Sequence, residues 1–428
     1  MIKVDLTKAT EVFEEGVLEE AYRIASDAFT EVQQGTGKGN EWLGWRDILA
    51  NPNDALLEKI SSTAKSIRSD ADIVIICGIG GSYLGAKAVI EALSPSFKKR
   101  GPEIIFAGHN IDGRYLDELC QYIGEPKADG SAKSVYINVI SKSGSTLETA
   151  IAFRALLAEL EQHEVDLKDR VIVTTGKEGG LLNGFVQHYG FRKFVIPEDV
   201  GGRFSVLTPV GLLPIAIAGY DIRTLYYGAV SAYRSYEEQP EDILRYAALR
   251  KALHDAGWRV DLFSFFEPRM VEFGKWIQQL LGESEGKEGK GIFPSVACYS
   301  TDLHSIGQFV QQGTPSVFET LISVEQASSS KKIEETVNNI DQLNYLSGNL
   351  YHEVNRLAKA GVVEAHSKGG VPIIDITIGS IHEENLGELI YFFELFTAVY
   401  AYSMGVNPFD QPGVEDYKKA MYRLLGKE

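Results

Sequence analysis

The chain has 428 residues, of which 44% are hydrophobic and 24% charged, and its formal net charge is −17. This is the composition of an ordinary soluble globular protein, long enough for two or three domains. The acidic balance excludes a nucleic-acid partner, which needs a basic face, and the longest apolar run, 210–218, contains Pro214 and is far too short to span a membrane.

Residues 1–70 read as an N-terminal helical segment. An amphipathic helix is expected over 10–29. A second, opened by Asn51-Pro52-Asn53-Asp54, runs through Leu57, Ile60, Ala64 and Ile67. Trp42, Leu43 and Trp45 suggest a connector that packs on the main body, and no catalytic signal is visible there. Residues 1–20 are acidic and lack an apolar h-region, so a cytoplasmic location is expected. Cys77, Cys120 and Cys298 are too few and too widely spaced for a disulfide framework or a zinc pattern. Cys77 and Cys298 end apolar runs and read as small core residues.

Residues 71–200 alternate strand and helix, with strands expected at 73–77, 104–107, 134–140, 171–174 and 193–196. Strands buried on both faces and separated by helices imply a parallel sheet. Between the first two, Lys98-Lys99-Arg100 reads as a solvated loop. The first strand leads into Gly78-Ile79-Gly80-Gly81-Ser82-Tyr83, a poor dinucleotide fingerprint because its sixth position is Tyr83 and no acid follows the next strand. Gly80, Gly81 and Ser82 could instead meet a sugar phosphate at a helix start. The third strand leads into Ser141-Lys142-Ser143-Gly144-Ser145-Thr146, followed by a helix over 147–160 with an apolar face of Leu147, Ile151, Leu156, Leu157 and Leu160. Four hydroxyls, a lysine and a glycine at a helix start favour a phosphate cradle over a plain N-cap.

Residues 201–257 form a helical connector. At its start Gly201-Gly202 permit close backbone approach and place Arg203 beside whatever fills the cleft. The tyrosine-rich stretch 220–236 and the later aromatic stretch 391–402 carry more apolar surface than two small sheets need, which suits a core or a permanent interface. A second α/β unit spans 258–385, with strands at 261–266, 292–299, 317–324 and 372–378 and helices at 271–281, 303–311 and 340–360. The loop 282–291 holds Glu283, Glu285 and Glu288, which taken alone are a solvated flexible charge run. Residues 386–428 are helical again, with a last helix from about Gly413 that carries Lys418.

Taken together, the loops at 78–85 and 141–146, the stretch Asp199-Val200-Gly201-Gly202-Arg203-Phe204-Ser205 and the stretch Asn407-Pro408-Phe409-Asp410-Gln411-Pro412-Gly413-Val414-Glu415 resemble the glucose-6-phosphate isomerase family in its shorter bacterial form. The resemblance implies an α/β protein of two flavodoxin-like sugar-isomerase domains with parallel sheets. It also implies a homodimer, a sugar-phosphate substrate, and neither cofactor nor metal. By the same resemblance Glu283 is the base, since it begins the Glu-Ser-x-Gly-Lys pattern. His304 and Lys418 are the ring-opening residues and Arg203 lies beside the reacting carbons. Gln279 and Gln411 contact sugar hydroxyls; Ser82, Ser141, Lys142, Ser143 and Thr146 surround the phosphate; Gly81 and Gly202 line the substrate. Ser143 and Gly144 replace the Thr and bulky residue of longer members, which keeps the hydroxyl inventory. The family builds each site from both subunits, so His304 is expected to act across the dimer.

These residue types suit the chemistry. An acid and a base open the ring, one carboxylate moves a proton between C2 and C1 through a cis-enediol, and a fixed guanidinium offsets the developing charge. A different aldose–ketose isomerase is the enzymatic alternative. A sugar-phosphate sensor is the non-catalytic one, but it would need the phosphate loop without Glu283, Arg203 and Lys418.

Overall fold

Two five-stranded sheets carry the fold of the computed structural model, which describes residues 2–14, 16–97, 101–163, 166–326 and 328–426. The expected basic loop at 98–100 lies outside the described residues. The chain opens with β1 (Lys3–Asp5), followed by the helices α1 (Val17–Gln34) and α2 (Asp54–Arg68). The expected helix start at residue 10 is displaced because Gly16, at φ 92°, breaks the chain before Val17. Asn53 caps α2 by accepting from the Leu56 N–H.

The first sheet holds β2 (Ile73–Cys77), β3 (Glu103–Ala107), β4 (Val135–Ile140), β5 (Val171–Thr175) and β6 (Arg192–Val195). Their order is β3-β2-β4-β5-β6 and every pair is parallel. β2 and β4 are buried along their whole length, which is why β2 is a continuous apolar run and β4 is apolar but for Asn138. Strand order reverses between them, and ligands of open α/β sheets settle outside the carboxyl ends at such a point. The loops at 78–83 and 141–146 leave from those two ends. They run into α3 (Leu84–Leu93) and α4 (Leu147–Gln162). The buried face of α4 is Ala152, Phe153, Leu156, Leu157 and Leu160; Ile151, expected there, is exposed.

Beyond β6 come α5 (Pro209–Ala218), α6 (Ile222–Glu238) and α7 (Glu241–Asp255). The second sheet then assembles from β7 (Val260–Phe265), β8 (Phe293–Cys298), β9 (Val317–Val324) and β10 (Ile373–Ile378), in the order β1-β10-β9-β7-β8. Its four long strands are parallel and repeat the order of the first four strands of the other sheet. The fifth place is taken by β1, antiparallel to β10 with Val4 opposite Ile376. Residues 1–70 are therefore not helical throughout: Ile2, Val4 and Leu6 alternate with polar residues at strand period.

Between β7 and β8 runs α8 (Val271–Glu285), four residues longer than expected. α9 (Tyr351–Lys368) starts well after residue 340, because Asn339 and Gln342 adopt positive φ, which a helix does not accept. α10 (Glu383–Ser403) is buried nearly all round and packs on α6 and α7, as an apolar helix in a core must. The Tyr246 and Phe396 rings stack there with centroids 3.9 Å apart. Tyr226, Tyr236, Tyr391 and Tyr400 are all buried within this one chain. Most of the aromatic surplus is thus internal core, the first of the two roles expected of it. α11 (Pro412–Leu424) closes the described chain. Cys77 is fully buried as expected, whereas Cys298 is only half-buried.

Candidate active site

The last turn of α8 presents Glu283, Ser284 and Glu285 in succession, and two arginines hold them. Arg250, on α7, is fully buried and donates to Glu285 at 2.7 Å and to Asp261 at 3.0 Å. Burial pushes the Asp261 carboxyl up to about 6 despite the neighbouring guanidinium. Glu285 is therefore a buried anchor, and the expected flexible loop at 282–291 is helical for its first four residues. Glu283 is one-third exposed at the side chain, unlike its buried neighbours Ser284 and Glu285.

Arg203 approaches from the other side and is 3% exposed. Its Nε donates to Ser284 Oγ at 2.8 Å, and its Nη1 to Gln411 Oε1 at 2.8 Å and Glu283 Oε2 at 3.3 Å. Its Nη2 donates to the carbonyls of Pro408, at 2.6 Å, and Asp410, at 3.2 Å. All five donors of the guanidinium are engaged. Burial lowers its pKa, Glu283 and Asp410 oppose that shift, and the group stays charged. Gln279, one turn before Glu283, donates to Glu283 Oε1 at 3.1 Å. Gly81 lets this arrangement close, since a Cβ on it would lie 2.0 Å from the Gly202 carbonyl oxygen. The two glycine loops therefore meet backbone to backbone. Lys287, half-buried, straps the end of α8 to the 407–411 loop by pairing with Asp410 at 2.8 Å and donating to the Asn407 carbonyl.

The 141–146 loop sits at the start of α4. Thr146 occupies the cap position, but its side chain accepts no helix N–H, which argues against a mere N-cap. The hydroxyls instead bind one another and the loop: Ser141 Oγ lies 3.3 Å from Thr146 Oγ1 and accepts from the Gly144 N–H at 3.1 Å, and Ser143 Oγ accepts from Ser145. Ser82 lies on the facing loop, in a single turn of 3-10 helix over Gly80–Ser82. Lys142 Nζ turns toward the neighbouring 198–202 loop, donating to the carbonyls of Glu198 at 2.7 Å and Val200 at 3.1 Å. Lys418, on α11, pairs with Glu415 at 2.9 Å; burial works against its charge, but Glu415 leaves its pKa raised. Tyr422 of the same helix donates to the Ser145 carbonyl at 3.3 Å, so α11 leans on the hydroxyl loop.

Arg203, Glu283, Gln279 and Gln411 are thus brought into one bonded group, and Gly81 and Gly202 into contact. His304 stands apart. It is exposed on a short 3-10 turn whose Asp302 accepts from the Cys298 N–H at 2.7 Å, and no hydrogen bond or ion pair joins it to the described group. A cavity of about 440 Å³ opens beside the group, lined among others by Trp42, Lys142, Gly202, Asp410, Gln411 and Glu415. Its size suits a small polar ligand. Sequence reasoning assigns no functional part to the 37–45 segment, yet Trp42 lines this cavity. Trp45 packs beneath it on Phe204 and Phe409. The available signal was the pair of tryptophans flanking Gly44.

Two parallel sheets of one repeated strand order, meeting at a carboxylate, a saturated buried guanidinium and a hydroxyl loop, define the two-sheet architecture of sugar-phosphate isomerases. A glucose-6-phosphate isomerase structure from Chlamydia trachomatis shares this fold at 18% identity and TM-score 0.81, covering 99% of this chain and 88% of the other. The chain belongs to the phosphoglucose isomerase family, whose model matches residues 54–427. It is 42% identical over 433 residues to a glucose-6-phosphate isomerase of Staphylococcus epidermidis, covering all of this chain and 96% of the relative. It is 46% identical over 403 residues to one of Fusobacterium nucleatum, covering 92% and 88%. A hypothetical protein from Thermus thermophilus superposes with TM-score 0.88 at 27% identity, covering 99% of this chain and 100% of the other.

Proposed function

We propose that the chain catalyses the reversible interconversion of glucose 6-phosphate and fructose 6-phosphate. The observation that carries this reading is Arg203, buried and with every donor engaged, fixed against Glu283, whose side chain stays one-third exposed. A proton carrier beside a rigid positive charge is what enediol chemistry requires.

On this reading the phosphate settles on Ser82 and the 141–146 loop, with Lys142 at its edge. His304 and Lys418 open the ring, one protonating the ring oxygen while the other takes the anomeric proton. Glu283 removes the proton from C2 of the open aldose, and the electron pair left behind forms the enediolate. Arg203 stabilises the oxyanion. The hydroxyl proton on O2 then passes to O1, and Glu283 returns its proton to C1 as the C2 oxygen becomes the ketone. Gln279 and Gln411 orient the hydroxyls, and the packed backbones of Gly81 and Gly202 lie beside the sugar. No electron leaves the substrate, so the cycle closes without an external oxidant.

The first α/β domain, 71–200, supplies the phosphate loop and the second, 258–385, the base. The enzyme acts in the cytoplasm as a homodimer, in which the partner subunit's His304 completes each site. The isolation of His304 from its own chain's group supports that arrangement. A coupled assay for fructose 6-phosphate formed from glucose 6-phosphate, run with a chelator present, tests the proposal. Failure to form product overturns it. Binding of the sugar phosphate without proton exchange at C2 would point to a sensor instead.

A further inference from the structure

We infer that Trp42 is a positioning residue of the phosphate site, holding the Lys142 ammonium in the direction from which it meets the anion; this rests on the reading of 141–146 as a phosphate loop. An ammonium has three donors. Two of those on Lys142 are taken by the Glu198 and Val200 carbonyls. The Trp42 ring lies against the same ammonium, with Nζ 4.3 Å from its centroid. Lysine is otherwise a flexible point charge that must be ordered before it can help bind a ligand. Here two carbonyls and an aromatic face fix the ammonium before any ligand arrives, and one donor is left for an anion.

The location supports a role toward the ligand. Trp42 and Lys142 line the same 440 Å³ cavity as Gly202 and Gln411. The segment that carries Trp42 is itself immobilised. Gly44 packs against Asp199, where a Cβ would fall 2.3 Å from the Asp199 carboxyl carbon, and the Gly44 N–H donates to the Asp199 carbonyl at 3.1 Å. The Tyr402 hydroxyl donates to the Lys38 carbonyl at 2.8 Å. Trp42 thus belongs to a rigid brace between the 198–202 loop and the end of α10. Burial lowers the Lys142 pKa, so an approaching dianion also restores favourable surroundings to a partly desolvated charge.

The test uses the full-length protein and inorganic phosphate as the probe, with fructose 6-phosphate for kinetics. Trp42→Ala is expected to weaken phosphate binding about fivefold, the scale of one partly buried cation–π contact, and to raise KM more than it lowers kcat. Trp42→Phe, which keeps an aromatic face, is expected to restore binding to within about twofold of wild type. The chain has four tryptophans, so the fluorescence change on adding phosphate is expected in wild type and absent in Trp42→Phe. Lys142→Met should lose at least as much as Trp42→Ala, and the double variant should lose little more than Lys142→Met alone. Unaltered phosphate affinity in both Trp42→Ala and Lys142→Met overturns the inference, as does full additivity of the two losses. A wild-type protein that makes no fructose 6-phosphate, yet keeps the phosphate-dependent Trp42 signal, would sink the isomerase reading and leave this one standing.

Discussion

Arg203→Lys separates charge from geometry at the centre of the candidate site. The substitution keeps one positive charge but reduces five donors to three. Wild type uses all five, on Ser284, Glu283, Gln411 and the carbonyls of Pro408 and Asp410. At least two acceptors are therefore left unpaired in a nearly dry site, at about 1–3 kcal/mol each, or roughly 2–6 kcal/mol in all. The shorter reach of the ammonium also moves the charge away from Glu283. If the guanidinium stabilises the enediolate, kcat should fall by about a hundredfold to a thousandfold, the scale of removing one preorganised charge donor. Turnover in the coupled assay and Tm by differential scanning fluorimetry are the two readouts. Both should fall, while a phosphorylated sugar acid still binds. Turnover within threefold of wild type at an unaltered Tm would refute the argument that the geometry of Arg203, beyond its charge, matters.

Other expectations follow from the same structure. Glu283→Gln keeps the bond to Gln279 available but removes the base, and isomerisation should drop about a hundredfold or more with analogue binding retained; near-normal turnover would move the role elsewhere, though not to Glu285, which is locked to Arg250. Co-expressing a Glu283→Gln chain with a His304→Ala chain should restore activity, since a mixed dimer with shared sites contains one intact site; purified mixed dimers that bind sugar phosphate and stay inactive would place His304 within its own chain's site. Glu394 is fully buried, neither carboxyl oxygen has a partner, and burial drives its pKa well above 4.5. The native group therefore keeps its proton while the unfolded chain gives it up, so stability falls as pH rises above about 4.5, by up to about 1.4 kcal/mol per pH unit until the native group ionises. Glu394→Leu should raise Tm at pH 8 and less so at pH 5; a gap that does not change with pH would show that this carboxyl does not titrate as argued.

What could be read from the chain and what could not divide along physical lines. Strands such as β2 and β4 were legible because burial on both faces makes them runs of β-branched and aromatic residues, broken only by Asn138 in β4 and Cys77 at the end of β2. The candidate site residues stood out as short motifs, and their expected roles came from the family resemblance of those motifs. Their mutual geometry was not legible, because Arg203 meets partners 80 to more than 200 positions away. The end of α8 resembles a loop in sequence for the same reason: Gly282 and three glutamates suggest one until Arg250, remote in sequence, neutralises Glu285. The aromatic helices gave a true signal of burial but no indication of what buries them, and the core of a single chain proved sufficient. The hydroxyl motif suggests that Lys142 reaches straight to a phosphate; the carbonyls of Glu198 and Val200 and the ring of Trp42, which no local pattern links to it, set its direction.

The antiparallel edge strand β1 bears on the order in which the molecule can be assembled. Asp5 is synthesised long before its partner Asp375. The first sheet draws all its strands from one continuous stretch and can close while translation continues. The second must wait for its own last strand before that strand can pair with β1, made long before it. Until β1 docks, β10 has an unpaired flank of the kind that invites pairing with a stranger. The three residues of β1 act as a clasp on the far edge of the second sheet, since β1 can pair with β10 only once β10 has been made.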